Sequence, residues 1–270
     1  MSSFSGLRIL ITGSGSGIGA LMAERLAADG AEVIVTARRK AAADAVRDRI
    51  LQHGGQAHAM TLDVSKLSTL APFRSRLHKA HGPIDMLINN AGVVFGGEFE
   101  QVALADHLNT FQINATGLIA LTHTFFTDLI NSRRGHLINI SSASAFVGLP
   151  WGSSYAASKW AVLGFSESIR LELKERGLNN VAVTTVCPSY ISTGMFDGVK
   201  TPLLSPMLTP DKVVRAIIQG IRKKEALVQQ PMMVKHIDLM KGALPLPIWD
   251  VLARTTGVSS SMKKWKGKQS

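Results

Sequence analysis

The chain has 270 residues, 46% of them hydrophobic and 18% charged, a core-forming composition that excludes disorder as the main state and fits one large α/β domain. Its single cysteine, Cys187, excludes an intramolecular disulfide and a cysteine zinc site, and suits a reducing, cytoplasmic setting. The formal charge of +11 is uneven: residues 201–270 hold 12 Lys/Arg against 4 Asp/Glu, a net of +8, which leaves +3 for the first 200.

Elements follow in chain order. Gly6 to Thr12 is too short an apolar run for a signal peptide and leads into a glycine loop. Leu7–Ile11 reads as a buried strand closed by Gly13. Ile18, Leu21, Met22 and Leu26 recur at helical spacing up to Gly30. Strand 32–36, helix 42–51 and strand 58–62 come next. A helix lies between Ser65 and His81, its start blurred by Pro72. Strand 85–89 precedes a long helical stretch from about Leu104 to Asn131. Strand 136–140, helix 155–176, strand 181–187, helix 211–224 and a short strand 226–229 complete the alternation. Residues 135–158 carry no charge but are rich in Ser and Gly, so they are not a membrane span.

Strand–helix alternation at this spacing predicts a single-domain, Rossmann-type, doubly wound parallel sheet of about seven strands with helices on both faces. That domain takes in residues 1–230. Residues 231–270 form a C-terminal extension, apolar and then basic, of unassigned fold.

The loop Thr12-Gly-Ser-Gly-Ser-Gly-Ile-Gly19 sits between the first strand and the first helix. Glycines there allow a tight turn and close approach to a pyrophosphate, which meets the N–H groups and partial positive charge of the helix N-terminus. Gly13, Ser16, Gly17, Ile18 and Gly19 are the candidate contacts. No Gly-Lys-Ser/Thr follows, so a triphosphate P-loop is excluded. The second strand ends in Thr36-Ala-Arg-Arg39, without the carboxylate that would grip both ribose hydroxyls. Arg38 can clamp a 2′-phosphate, so NADP(H) is favoured over NAD(H); the alternative is two solvated arginines opening a helix.

Tyr155 and Lys159 stand at i and i+4 on one helix face, a pair whose weight comes from its context. With the glycine loop, Asp63-Val64, Asn89-Asn-Ala-Gly92, and Ser142 thirteen residues before Tyr155, the chain resembles the short-chain dehydrogenase/reductase family over about residues 5–230. Thr193-Gly-Met-Phe-Asp-Gly-Val-Lys200, Pro231-Met-Met and Leu244-Pro-Leu-Pro247 resemble the branch of retinol, long-chain-alcohol and 17β-hydroxysteroid dehydrogenases.

The resemblance implies a set of roles. Tyr155 is the acid/base; Lys159, with the oxidised nicotinamide, lowers its pKa and anchors the ribose. Ser142 holds the substrate oxygen, and Asn114 positions a relay water. The nicotinamide carries the hydride. Asp63 bonds the adenine amino group beside Val64. Asn90 and Gly92 line the cofactor cleft, and Pro188, Ile191 and Thr193 close over the nicotinamide. Where the family often has glycine after that proline, this chain has Ser189, which leaves the local backbone path open.

Met195 and Phe196 are candidate substrate contacts, with lid packing as the alternative. The extension mixes Met232, Met233, Leu239, Met240, Leu244, Leu246, Ile248 and Trp249 with Lys235, Lys241, Arg254, Lys263, Lys264, Lys266 and Lys268. It suits peripheral contact with an anionic membrane, or equally a dimer contact with a basic end. The family resemblance implies a homodimer or homotetramer. The histidines show no metal-ligand spacing, so no metal is expected, and no nucleic-acid module accompanies the charge. The leading expectation is therefore an oxidoreductase that moves a hydride between NADP(H) and an alcohol or carbonyl on a bulky, apolar, retinoid-, steroid- or lipid-like substrate. A 3-oxoacyl carrier-protein reductase and a non-catalytic cofactor sensor or scaffold are the alternatives.

Overall fold

The computed structural model describes residues 4–203 and 205–265. The strands are β1 Arg8–Ile11, β2 Glu32–Ala37, β3 Gln56–Thr61, β4 Met86–Asn89, β5 Gly135–Ile140, β6 Val181–Pro188 and β7 Leu227–Gln230. They form one parallel sheet in the order β3-β2-β1-β4-β5-β6-β7. The order reverses direction between β1 and β4, which opens a crevice at the carboxyl ends of those strands.

The core follows from the two-residue period of a strand. Ile9, Ile11, Val33 and Val35 face one layer, built from α1 (Gly17–Ala28), α2 (Lys40–Gln52) and α7 (Pro210–Lys223). Leu10, Ile34, Leu87 and Leu137 face the other, with Phe73 and Leu77 of α3 (Leu70–His81), Phe125 and Leu129 of α5 (Gly117–Asn131) and Leu173 of α6 (Ser153–Glu175). Both faces of the central strands are covered, which is why they read as continuous apolar runs.

Three regions take definite form. The helix expected between Ser65 and His81 begins at Leu70, after a short 3₁₀ turn, Leu67–Thr69. Pro72 sits in its first turn, where the missing N–H has no helical partner to lose. The long helix over 104–131 is α4 (Leu104–Phe111), one π-turn (Gln112–Thr116) and α5. The extension folds into α8 (Val234–Ala243) and α9 (Leu246–Thr255), followed by a 3₁₀ turn, Val258–Ser260. Pro247 in the first turn of α9 is compatible with a helix start, so the prolines there punctuate two helices.

A buried polar ladder ties the central strands to their helices. Asn89 Nδ2 donates to Asn139 Oδ1 (2.9 Å) and Thr122 Oγ1 (3.0 Å), and Asn139 Nδ2 donates to Ser166 Oγ (2.8 Å). Each buried amide thus has partners, as the dry interior requires. Deeper in the sheet, Thr184 donates to the Glu225 carbonyl (2.7 Å), and its oxygen lies 2.8 Å from His136 Nε2, placed to accept.

Burial, with Lys224 nearby, pushes the His136 imidazole down to about 4 from 6.5. The unfolded chain binds this proton first, so stability is present above pH 6.5 and is lost as pH falls through 4. The loss from this one group is about 3 kcal/mol. Urea unfolding at pH 7 and pH 4 is expected to show a smaller acid loss in His136→Gln than in the unchanged chain.

Candidate active site

The glycine loop is built from its own polar groups. Ser14 Oγ donates to the Ile11 carbonyl (2.8 Å) and accepts from the Thr36 N–H (2.9 Å), joining the ends of β1 and β2. Thr12 Oγ1 accepts from the N–H groups of Asn90 and Ala91, both at 2.9 Å. Asn90 Nδ2 donates to the carbonyls of Thr12 (2.9 Å) and Gly13 (3.2 Å). Its amide therefore holds the loop in shape from the cleft side.

The loop meets the requirements of a phosphate cradle. Gly13 and Gly17 adopt φ of +63° and +58°, a region costly for residues with a Cβ. A Cβ on Gly13 would lie 2.9 Å from Ala91 Cα, and one on Gly17 would point across the mouth at Thr193, 3.9 Å away. Ser16 caps α1 without a side-chain bond, and no acidic residue occupies the first turn. The N–H groups there, up to that of Ile18 and Gly19, thus face no competing anion. Arg38 is exposed just beyond β2, with no ion-pair partner among the described residues. Asp63 Oδ1 accepts from the N–H (3.1 Å) and hydroxyl (2.7 Å) of Ser65, which orients the carboxylate beside buried Val64. These residues fit a dinucleotide whose diphosphate rests on α1 and whose adenosine end lies toward Arg38 and Asp63.

At the ends of β4 and β5 the remaining candidates converge. Lys159, buried in α6, donates from Nζ to the Ile140 carbonyl (2.8 Å) and stands 5.7 Å from the Tyr155 ring centroid. A Cβ on Gly92 would come within 3.6 Å of Nζ and 3.3 Å of Asn114 Oδ1, so that glycine keeps the cleft open beside them. Ser142 Oγ accepts from the Ser144 N–H (3.1 Å), and Ser142 acts on the Tyr155 phenol to favour its charged form. Ser144 Oγ is buried next to it without a hydrogen-bond partner. Cys187, behind Ser141 and Ser142, is buried and pushed up to about 12, an inert thiol.

Burial acts on both ionisable groups of the pair. It pushes the Tyr155 phenol up to about 12, with Ser142 acting the other way. Burial likewise pushes Lys159 down to about 8. Asn114 lies within the π-turn, where its Oδ1 accepts from the Val93 N–H (2.8 Å) and its Nδ2 donates to the Val93 carbonyl (2.9 Å) and Ser158 Oγ (3.0 Å).

Pro188 ends β6, and the Ser189 N–H continues the ladder to Gln230 (2.7 Å) while its hydroxyl meets Ser205 (2.5 Å). Serine in place of glycine thus keeps an ordinary strand path. Ile191 bridges Leu208, which turns the chain back so that Thr193 faces the glycine loop. Phe196 is buried edge-on to Tyr155 (6.0 Å) and Tyr190 (5.3 Å), and Met195 packs in the same apolar cluster.

Several participants were not singled out from the sequence. Thr12, Ser14 and Ser158 are small polar residues whose role appears only with their partners. Met262 and Trp265 of the extension join the cluster around Tyr155. Spacing also hid one group of metal-ligand type, Glu32, His58 and His81, whose ligand atoms lie within 4.8 Å of one another. Its carboxylate is already held by Arg8 Nε (3.0 Å) and Nη2 (2.7 Å). Lys266 and Lys268 lie outside the described residues.

The model of the short chain dehydrogenase family matches residues 8–203. Epidermal retinol dehydrogenase 2 of Mus musculus is 33% identical over 97% of this chain and 85% of its own length. Ketoacyl reductase HetN of Nostoc sp. is 32% identical over 85% and 81%. Estradiol 17-beta-dehydrogenase 11 of Rattus norvegicus is 27% identical over 95% and 86%. A metagenomic short-chain oxidoreductase in complex with NADP superposes with a TM-score of 0.72 at 31% identity, covering 84% of this chain and 96% of that one. A short chain dehydrogenase/reductase from Burkholderia phymatum in complex with NAD shares the fold, with a TM-score of 0.80 at 23% identity over 90% of this chain and 95% of that one.

Gly13→Ala is expected to lower dinucleotide affinity by more than about tenfold, through the strained φ and the displacement of Ala91 just after β4. Isothermal titration with NADPH and NADH checks this; unchanged affinity would exclude the loop as the cradle.

Proposed function

Because the chain belongs to the short-chain dehydrogenase/reductase family, in its retinol and steroid dehydrogenase branch, we propose that it is an NADP(H)-preferring alcohol dehydrogenase and carbonyl reductase for a bulky apolar substrate. The observation that carries the reading is the meeting of Tyr155, Ser142 and Lys159 in one buried wall beside the glycine cradle. When bound, the nicotinamide supplies or takes the hydride.

The chain's own residues handle the proton and the oxygen. Tyr155 Oη gives its proton to the carbonyl oxygen in reduction and takes it back in oxidation. A phenol held neutral by burial starts in the form that reduction needs. Ser142 Oγ, which acts on the Tyr155 phenol, shares the substrate oxygen with it and fixes its position. Lys159 brings positive charge to the site as phenolate forms and donates toward the ribose, while Ile140 holds its Nζ. Asn114, in the π-turn, offers backbone to a relay water. Arg38, with no ion-pair partner among the described residues, takes a 2′-phosphate as a charge-assisted pair. Asp63 and Val64 receive the adenine, Asn90 and Gly92 shape the cleft, and Pro188, Ile191 and Thr193 close it over the nicotinamide. Met195 and Phe196 give the apolar side of the substrate pocket.

The surface supports two further parts of the reading. Leu104, Leu108, Phe111 and Ile119 on α4 and α5, with Leu171 on α6, are exposed apolar residues suited to a homodimer or homotetramer contact. Leu239, Leu246, Ile248 and Val251 on α8 and α9 are exposed beside Lys235, Arg254, Lys263 and Lys264, a mixture suited to the face of an anionic bilayer. Among the described residues no helix is long and apolar enough to cross a membrane. The likeness to a ketoacyl reductase favours one second reading, reduction of a 3-oxoacyl thioester on an acidic carrier.

Tyr155→Phe is expected to lower turnover by at least about 100-fold while NADPH still binds. The same assay run with NADPH and NADH over steroid, retinoid and 3-oxoacyl carbonyls tests the rest. Arg38→Asp is expected to reverse the coenzyme preference, and faster turnover of the thioester would favour the second reading.

A further inference from the structure

The last described stretch of the chain does not trail away from the fold. After α9, residues 256–265 run back along the segment that follows β6. The Leu203 N–H donates to the Thr256 carbonyl (3.0 Å) and the Lys200 N–H to the Ser261 carbonyl (3.1 Å). The Ser261 hydroxyl meets Tyr190 Oη (2.7 Å), and Trp265 Nε1 donates to the Met195 carbonyl (3.1 Å). Four bonds therefore strap this segment to the stretch carrying Met195 and Phe196. Ser261 and Met262 are each only 1% exposed, so the strap is part of the packed interior.

Its apolar residues reach the site. Met262 and Trp265 pack in the cluster that holds Tyr155 and Phe196. Phe196 lies edge-on between Tyr155 and Tyr190, so the clasp at Ser261 is two rings away from the reacting phenol. On the opposite side Gly96 makes room. A Cβ there would lie 3.0 Å from Trp265 Cε3, 3.2 Å from Met262 Cε and 2.9 Å from the Trp151 carbonyl. The loop after β4 and the strap thus pinch together over the substrate side of the site.

We propose that residues 256–265 form the outer wall of the substrate pocket, and that Met262 and Trp265 set the size of the apolar group accepted beside the carbonyl. This rests on the reading of the site as a carbonyl reductase. Tyr190 is a positioning residue, acting through Ser261 and Phe196. Side chains that fill an apolar pocket discriminate by volume, and loss of an indole opens room for several carbon atoms.

The test compares kcat/KM for a short methyl ketone and a steroid-sized ketone, with NADPH, in the full chain. Trp265→Ala is expected to shift the ratio toward the larger ketone by about tenfold or more, chiefly through its KM. Trp265→Phe restores most of the original ratio, and the Kd for NADPH does not move. Gly96→Ala, pressing on the same wall from the other side, shifts the ratio again without touching the strap's own sequence. If wild type turns over these ketones and neither alanine variant alters the ratio, the wall is elsewhere and the proposal is overturned while the carbonyl-reductase reading stands. If wild type turns over no carbonyl with either coenzyme, the reading fails and the proposal fails with it.

Discussion

A lysine ammonium with no carboxylate partner among the described residues is buried at the centre of this molecule. Lys159 Nζ meets the Ile140 carbonyl at 2.8 Å and lies beside the ring of Tyr155. Burial pushes it from 10.5 down to about 8, which costs about 3 kcal/mol of stability at neutral pH. A fold that only needed packing would place a methionine there. The surrounding structure exists to hold this cation and its phenol in one fixed relation.

The scaffold around the pair is correspondingly stiff. The strand order turns between β1 and β4, so the carboxyl ends of β4 and β5 border the crevice. Asn89, Asn139, Thr122 and Ser166 bond these strands to α5 and α6. Asn114 staples the π-turn to the chain after β4, and Ser158 links it to the turn that carries Tyr155, since its hydroxyl donates to the Tyr155 carbonyl at 2.7 Å. On the other side of the crevice Thr12, Ser14 and Asn90 hold the glycine loop in shape through their own hydrogen bonds. Rigid elements thus present the reacting groups, and the chain beyond β6 and α9 packs over them.

Much of this is legible in the sequence. Central strands buried on both faces must be apolar throughout, so Leu7–Ile11 and residues 136–140 declared themselves. The glycine loop and the Tyr155–Lys159 pair were visible because their spacing is local. What was hidden depends on distant partners. The sign of the Tyr155 shift is set by burial under Phe196 and its neighbours, which spacing to Lys159 cannot reveal. Glu32, His58 and His81 meet only because β2 pairs with β3 and α3 ends beside them. The extension carries prolines and no clean helical period, so neither α8, α9 nor the returning strap could be drawn from its residues. The π-turn at Asn114 leaves no mark on a helical pattern, because it adds one residue without breaking it.

The chain has only two tyrosines, Tyr155 and Tyr190, so the state of the phenol can be read directly. The decisive measurement is a pH titration of ¹³Cζ-tyrosine resonances in the cofactor-free protein, with Tyr190→Phe to assign the signals. The account predicts that Tyr155 stays protonated through pH 10, because burial has pushed it up to about 12. A Tyr155 resonance that titrates near pH 7 would contradict it, and would mean that the lysine charge outweighs desolvation in this pocket.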